Sequence, residues 1–197
     1  MEKEQRKYLL KADISRIQNY IFDTTSKKAA QNLKARSFYI YVLTHIIDEY
    51  LKREFEVEEV IYNGGGNLLL CLKAEKSAIS IKTRELQYNF LTRDIYIHFA
   101  WVLYEDENFK EKNRAVNQLL AKNKMSKSIY PASFQVTDVE MVCENIVKQL
   151  INANGFGIIP DEKSQDISLA GFSVSFSNSQ KTSWRSEERR VGKECRS

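Results

Sequence analysis

The sequence predicts an α+β fold with the element order βαββαβ, which is the ferredoxin-like pattern. Three observations support this prediction: a glycine-rich hairpin near the middle, amphipathic segments on both sides of it, and a strongly apolar segment at Asp94–Tyr104. The hydrophobic period changes between about two and about 3.6 residues along these segments, which separates strands from helices. We therefore expect a four-stranded antiparallel sheet with both helices on one face.

The chain begins with a predicted strand at Tyr8–Asp13 that leads into a helix. Asp13 falls at the carboxyl end of this strand, where α/β sheets commonly present ligand-binding groups, although a helix cap is the alternative interpretation. Ser15 is expected to cap the helix. The helix is indicated by apolar side chains at helical spacing, namely Ile14, Ile17, Tyr20 and Ile21.

A basic stretch at Ser26–Arg36 leads into a predicted amphipathic helix at Ser37–Leu51. The apolar stripe of this helix is wide, so we expect the helix to pack flat on the sheet. His45 lies inside the stripe and no paired acid or nucleophile stands at a workable spacing. We therefore interpret it as a histidine at the edge of the core, without a catalytic role.

The central hairpin consists of two short apolar runs, Val60–Tyr62 and Leu68–Leu72, on either side of a turn. Glycine and asparagine reach the positive φ values that hairpin turns require. A turn alone explains one or two of the glycines better than all three, because each glycine adds conformational entropy that folding must overcome. A ligand lying against the backbone is the other explanation, and both remain open. The turn residues are Asn63, Gly64, Gly65, Gly66 and Asn67.

After the hairpin we predict a second amphipathic helix at Ala74–Leu91 and then the strand at Asp94–Tyr104, which is rich in β-branched and aromatic residues. His98 lies in that strand, and a packed or sheet-face position is expected. Beyond it the signals weaken. The expected features are a helix at Phe109–Lys122, a break at Pro131, a helix at Asp138–Asn152, a loop at Asn154–Asp161 and a strand at Leu169–Phe176.

Composition limits the class of protein. The chain has 197 residues, 43% of them hydrophobic, and a formal net charge of +4. Its end, Arg185–Ser197, resembles a translated sequencing adapter, and we treat it as a non-native tail. Five basic and three acidic residues in this tail supply two of the four charges, so the remainder is close to neutral. That balance disfavours a general nucleic-acid coat.

The sequence gives no sign of a membrane or secreted protein. It has no apolar run of about eighteen residues and no secretory leader. Outside the tail, Cys71 and Cys143 stand far apart, which suits a reducing compartment and forms no metal-ligand pattern. We therefore expect a cytoplasmic protein without a membrane span.

Two strings in this pattern carry a family resemblance. They are KADISRIQNYIFDTTSKKAAQNLKARSFYIYVL and VIYNGGGNLLLCL. Together they resemble the first palm domain of the large subunit of type III CRISPR effector complexes, a GGDEF-like polymerase/cyclase family. The resemblance implies a palm domain over residues 1–104, followed at 105–184 by a mainly helical extension and the start of a further region. The residues that carry it are Ala12, Asp13, Ile14, Ser15, Ile17, Gln18, Ala35–Tyr39 and Gly64–Gly66.

In that family the subunit pairs two palms and makes cyclic oligoadenylates from ATP when the complex holds target RNA. The resemblance implies that the second palm supplies the Mg²⁺-binding acids from a GGDD hairpin, while the first palm helps to hold a nucleotide. Here Asn67 stands where an acid would be expected, and Asp13 is the one remaining candidate metal ligand. One carboxylate makes a poor two-metal site, so we predict no catalytic residue in this chain.

The implied site is one nucleotide pocket that a second palm completes. The glycine backbone would lie against the ligand, Arg36 would pair with phosphate oxygens, and Ser37 at a helix start would offer backbone N–H donors. The alternative is that Arg36 and Ser37 only start and cap the long helix. The full predicted set is Asp13, Ser15, Arg36, Ser37, Asn63, Gly64, Gly65, Gly66 and Asn67, with ATP and Mg²⁺ expected only when a second palm is present.

The implied partners are other type III CRISPR effector subunits, and crRNA and target RNA through the complex. DNA cleavage is not expected, because no HD-type nuclease motif occurs in the sequence. A non-catalytic scaffold or RNA-binding module is the alternative, with Tyr96 and Trp101 as candidate stacking residues. A stand-alone homodimeric diguanylate-type cyclase is disfavoured by Asn67 and the missing acids.

Overall fold

The computed structural model describes residues 5–23, 29–89, 95–105, 108–125, 145–149, 155–160, 167–169 and 172–177. The predicted break at Pro131, most of the predicted helix at 138–152 and the tail at 185–197 lie outside these residues. The elements in chain order are β1 (Arg6–Ser15), α1 (Ile17–Phe22), α2 (Ala29–Glu54), β2 (Glu56–Gly64), β3 (Asn67–Ala74), α3 (Lys76–Asn89), β4 (Tyr96–Leu103), α4 (Phe109–Met125), β5 (Gly155–Pro160), β6 (Ile167–Leu169) and β7 (Phe172–Ser177).

The main sheet has four strands in the order β2-β3-β1-β4, and every neighbouring pair is antiparallel. This order and the preceding element sequence confirm the predicted α+β ferredoxin-like fold. The strand β1 lies in the interior of the sheet, where it pairs with both β3 and β4. The most apolar part of the N-terminal sequence therefore occupies an interior position in the sheet.

Alternation along β1 defines the two faces of the sheet. On what we call the first face, Tyr8, Leu10, Ala12 and Ile14 are buried in one large cluster with side chains of α2 and α3. On the second face, Leu9 joins a smaller cluster that includes Val116 and Leu120 of α4. A half-buried strand alternates in this way because successive side chains point to opposite faces.

The helix α4 was expected in a separate extension, yet it covers part of the second face. Its side chains Val116 and Leu120 are four residues apart and are buried against Leu69 and Cys71 of β3. The spacing places both on one side of the helix. The prediction of two helices on one face therefore holds for α2 and α3, and α4 adds a layer on the other face.

Two predicted boundaries need correction. The strand β1 continues to Ser15, so Ile14 is a strand residue and not part of a helix. The helix α2 includes Ala29, so the basic stretch is largely helical. Its alanine, leucine and lysine residues have high helix propensity, which was the signal in the sequence.

The region after α4 contains more strand than we expected. The predicted loop at Asn154–Asp161 is wrong, because β5 occupies Gly155–Pro160. The predicted strand at Leu169–Phe176 falls on two strands, β6 and β7, and the three strands form a second antiparallel sheet in the order β5-β7-β6. Phe172 at the start of β7 is buried in the first-face cluster.

Within the described residues, no helix has both the length and the apolar character that a membrane crossing requires.

Candidate functional site at the hairpin end of the sheet

The three glycines of the turn have different structural roles. Gly65 and Gly66 have φ values of 58° and 81°, which L side chains rarely adopt. A Cβ on Gly66 would also overlap the Cδ1 atom of Ile17. Gly64 has no such constraint, since among the described residues a Cβ there would meet only the Tyr62 side chain, with its hydroxyl oxygen at 3.4 Å. The fold therefore explains two glycines and leaves the third unexplained.

A row of polar residues crosses the second face beside this turn. Asp13 of β1 is opposite Asn67 of β3 and opposite His98 of β4, and Asn67 is in turn opposite Gly64 of β2. Residues directly opposite one another in an antiparallel pair point to the same face. Three predicted site residues, Asp13, Gly64 and Asn67, therefore lie together on the second face.

The Asp13 carboxylate is already engaged. Its Oδ1 atom forms an ion pair with Nζ of Lys124, and its side chain is only 15% exposed. The hydroxyl of Ser15 donates to the same oxygen over 3.5 Å. The prediction that Ser15 caps the helix is wrong, because Arg16 is the N-cap residue of α1 and no side chain caps that end. Lys124 and His98 are site residues that the sequence analysis missed.

The other side of the hairpin belongs to the first face. The Nδ2 atom of Asn63 donates to Oδ2 of Asp48 over 2.9 Å, and Lys52 contacts the same oxygen at 3.0 Å. Asp48 is 4% exposed. Its Oδ1 atom and Oδ1 of Asn63 are buried and have no hydrogen-bond partner among the described residues. Asn63 therefore anchors the hairpin to α2.

Arg36 and Ser37 do not have the positions that we predicted. Both lie inside α2, about two turns after Ala29, so the backbone N–H of Ser37 is taken up by helical hydrogen bonding. The expectation that Ser37 begins the helix is wrong. The Nη1 atom of Arg36 donates to the carbonyl oxygen of Tyr20 over 2.5 Å, and the guanidinium lies 5.0 Å from the Tyr20 ring centre. Arg36 thus ties α1 to α2.

The structure divides the predicted set between the two faces. Asp13, Ser15, Gly64 and Asn67 lie on the second face, whereas Arg36, Ser37 and Asn63 lie on the side that carries α2. Gly65 and Gly66 form the turn between them. A ligand would contact both groups only at the hairpin end, where the two faces meet.

Both histidines occupy the positions expected of them, and burial lowers the pKa of both side chains. His98 is half-buried on the second face, and its Nδ1 atom has no partner among the described residues. Burial lowers its pKa from 6.5, and the nearby Lys124 ammonium acts in the same direction, against a smaller opposite effect of Asp13. Burial likewise lowers the pKa of His45, which packs edge-on to Tyr41.

The residues present do not fit a Mg²⁺ ion. Magnesium requires octahedral oxygen coordination, usually with one or two carboxylates. The described part of the chain contains no group of three histidine, cysteine, aspartate or glutamate side chains that could hold a metal, and Asp13 is paired with an ammonium. The prediction of a metal ligand at Asp13 therefore does not agree with the geometry.

The stacking surface of the alternative function is also not formed. Tyr96 and Trp101 are separated by an odd number of strand positions and point to opposite faces of β4. Trp101 packs against the first-face cluster, and the Tyr96 hydroxyl accepts a hydrogen bond from Arg16 over 3.2 Å. The two rings therefore share no face for RNA bases.

Comparisons with known proteins show which family this chain belongs to. The family model described as Csm1 subunit domain B matches residues 6–138, which is more than half of the chain. The chain belongs to this Csm1 family. The matched residues include the whole main sheet and α4. A domain boundary at residue 104 stays a prediction.

Several curated relatives are Cas10/Csm1 proteins of CRISPR subtype III-A, each named a single-strand-specific deoxyribonuclease. The protein from Methanocaldococcus jannaschii is 31% identical over 109 residues, which is 52% of this chain and 14% of the relative. The protein from Streptococcus thermophilus is 27% identical over 147 residues, or 64% of this chain and 19% of the relative. The chain thus spans less than a fifth of the length of either relative.

Solved structures of Csm1 share the fold. A Csm1–Csm4 cassette in complex with cA4 has a TM-score of 0.63 at 18% identity, covering 90% of this chain and 26% of the other. A Csm1–Csm4 cassette in complex with one ATP has a TM-score of 0.60 at 19% identity, with coverage of 90% and 27%. At this level of identity the likeness shows the fold alone.

Proposed function

We propose that this chain is a non-catalytic palm of a type III-A CRISPR large subunit and helps to bind ATP for cyclic oligoadenylate synthesis in antiviral defence. It would do so in the cytoplasm, together with a second palm and a Csm4-type subunit, and with crRNA and target RNA bound elsewhere in the complex. The Csm1 family match and the ATP and cA4 complexes of structural neighbours support this proposal.

The observation that carries the proposal is the open position beside Gly64. The backbone of Gly64 needs no positive φ, and the space where a Cβ would stand is bounded only by the flexible end of Tyr62. Gly64 faces the same side as Asn67 and Asp13. A ligand that approaches this backbone closely would account for a glycine that the fold itself does not require.

The chemistry of this surface suits the phosphate and sugar groups of a nucleotide. Asn67 supplies amide donors and an acceptor, and the Lys124 ammonium offsets the negative charge of Asp13, so that this surface does not repel phosphate oxygens. Mg²⁺, which would activate a triphosphate for transfer, would have to be held by acids outside this chain. The palm described here would bind and orient one nucleotide, and the reaction would need the second palm. A phosphate contact by Arg36 stays a prediction.

The test adds one methyl group to Gly64 in the complete large subunit within its assembled complex. We expect Gly64→Ala to lower ATP affinity and oligoadenylate yield at least tenfold while the thermal midpoint stays within about 2 °C of the wild type. Ile81→Ala, on the exposed side of α3, is the control and should change neither quantity.

The result that would contradict the proposal is unchanged ATP binding and unchanged oligoadenylate yield in the Gly64→Ala complex. If movement of Tyr62 makes room for one methyl group, the Gly64→Val variant tests the same position with a larger side chain. Normal ATP binding by both variants would exclude a nucleotide from this surface.

A further inference from the structure

The second face has a carboxylate at the position where a palm would hold a cation. Asp13 is the middle member of the row formed with Asn67 and His98, and it lies beside the glycine turn. Its two neighbours in the row are an uncharged amide and a histidine whose pKa is lowered. The negative charge of Asp13 is therefore balanced by none of the strand residues beside it.

The balancing charge comes from α4. The Nζ atom of Lys124 contacts Oδ1 of Asp13, and the lysine side chain is 36% exposed. Lys124 continues the apolar stripe of α4, since Val116, Leu120 and Lys124 are each four residues apart. The stripe that buries the first two residues against the sheet therefore directs the third towards Asp13.

A second contact fixes the end of α4 at this place. The Nδ2 atom of Asn123 donates to the carbonyl oxygen of Phe99 in β4 over 2.8 Å. Because β4 is an edge strand of the main sheet, this carbonyl is available to a side chain. Asn123 thus holds the last turn of α4 against the sheet, one residue before the lysine that meets Asp13.

We propose that Lys124 takes the place of a divalent cation at Asp13, so that this palm carries an internal positive charge and Asp13 positions a lysine instead of binding a metal. The fold itself brings the carboxylate oxygen and the ammonium together, without an ion from solution. An ammonium on Oδ1 repels a divalent cation that approaches the same carboxylate, so the ion pair with Lys124 disfavours a metal at Asp13. The inference does not depend on nucleotide binding.

The experiment uses Mn²⁺ as a spectroscopic probe for Mg²⁺ and the 197-residue chain. Electron paramagnetic resonance titration should show the same Mn²⁺ binding in the wild type and in Asp13→Asn, because Asp13 holds no metal. Binding in the wild type that is lost in Asp13→Asn would overturn the proposal. This readout involves no nucleotide, so it stands apart from the failure or success of the proposed function.

A double-mutant cycle in urea tests the lysine itself. Asp13→Asn and Lys124→Met should each reduce the folding equilibrium constant, and the double variant should lose about fivefold less than the product of the two single losses, since each removes the same ion pair. Lys124→Arg keeps the charge and should restore most of the stability. If the Lys124→Met variant aggregates, the Lys124→Gln variant is used in its place. Independent, multiplicative losses would overturn the proposal.

Discussion

The first face of the sheet buries apolar side chains along its whole length, whereas the second face changes from apolar to polar towards the hairpin. Leu10 and Ile14 of β1 are both at most 3% exposed on the first face. On the second face Leu9 is fully buried, but Asp13, four residues further along, ends in an ion pair. One strand therefore contributes to a core on one side and to a candidate site on the other.

This difference between the two faces indicates which part of the fold can hold a functional site. On the first face most side chains fill the core, and the polar pair Asn63 and Asp48 anchors the hairpin, so few groups are left for a ligand. On the second face, α4 covers the apolar part through Val116 and Leu120 and pairs Lys124 with Asp13 at the polar end. That polar end also includes the turn, where the glycine that the fold does not explain lies.

The largest expected effects compare the two faces directly at neighbouring positions of β1. Leu10→Ala should cost about 4 kcal/mol of unfolding free energy, and Leu9→Ala about 2.5 kcal/mol. Both side chains are fully buried, but Leu9 lies in the smaller cluster under α4, where a surface helix can settle into the cavity. Urea denaturation of both variants measures the difference. Equal losses would mean that the two faces are packed alike.

Gly66→Ala should have the next largest effect, a loss of about 2–3 kcal/mol. The new Cβ would overlap Ile17, and the φ of 81° is unfavourable for alanine. The same method applied to Gly64→Ala should give less than about 0.5 kcal/mol. A stable Gly66→Ala variant would show that the turn can rearrange, and the assignment of separate roles to the glycines would fail.

Substitution of Asp48 tests the polar contact on the first face, which joins α2 to the hairpin through Asn63. Asp48→Ala should cost about 2 kcal/mol, because it leaves the buried amide of Asn63 without its acceptor. Lys52 adds little to this loss, since it is 41% exposed and also contacts Glu49. Asp48→Asn keeps the shape and one acceptor oxygen and should lose about half as much in urea denaturation. If the Asp48→Ala variant were as stable as the wild type, the hydrogen bond between Asn63 and Asp48 would not anchor the hairpin.

The smallest effect is a pH dependence from the second face. Because the folded pKa of His98 lies below the ordinary 6.5, the unfolded state binds the proton first, and stability should fall as the pH drops through about 6.5. The loss ends once the pH is below the folded pKa. Thermal midpoints between pH 8 and pH 5 should fall by a few degrees in the wild type and by less in His98→Gln.

His45 contributes a loss of the same sign, because burial lowers its pKa as well. The two histidines are the only ones in the chain. His45→Gln is therefore the matched control, and the double variant should show the flattest profile near pH 6. A midpoint that rises on acidification in this range would contradict the environment described for both side chains.

The main sheet could be predicted from the sequence because each strand and helix is marked by its own hydrophobic period. The hairpin, α3 and β4 were located to within a few residues, since they combine clear periodicity with turn residues. The start of α2 was not located, because helix propensity without an apolar stripe is a weak signal. The strand β5 was missed because its two glycines favoured a loop.

The candidate site was harder to predict because it depends on register. Nothing local in the sequence shows that Asp13 faces Lys124, more than a hundred residues later in the chain. The prediction of one pocket with Arg36 rested on the family resemblance, whereas the fold places Arg36 on the α2 side of the sheet and Asp13 on the second face. The number of glycines in the sequence indicated that the turn does not need all three, but only the structure shows that Gly64 is the one without a positive φ.

Amide hydrogen exchange of the complete large subunit, with and without ATP, tests the central claim most directly. The claim is that the nucleotide lies at the hairpin end of the second face. We predict slower exchange in the peptides that contain Gly64–Asn67 and the end of β1, with no change in α3. Unchanged exchange at the turn, or protection confined to the part of α2 that contains Arg36 and Ser37, would contradict it.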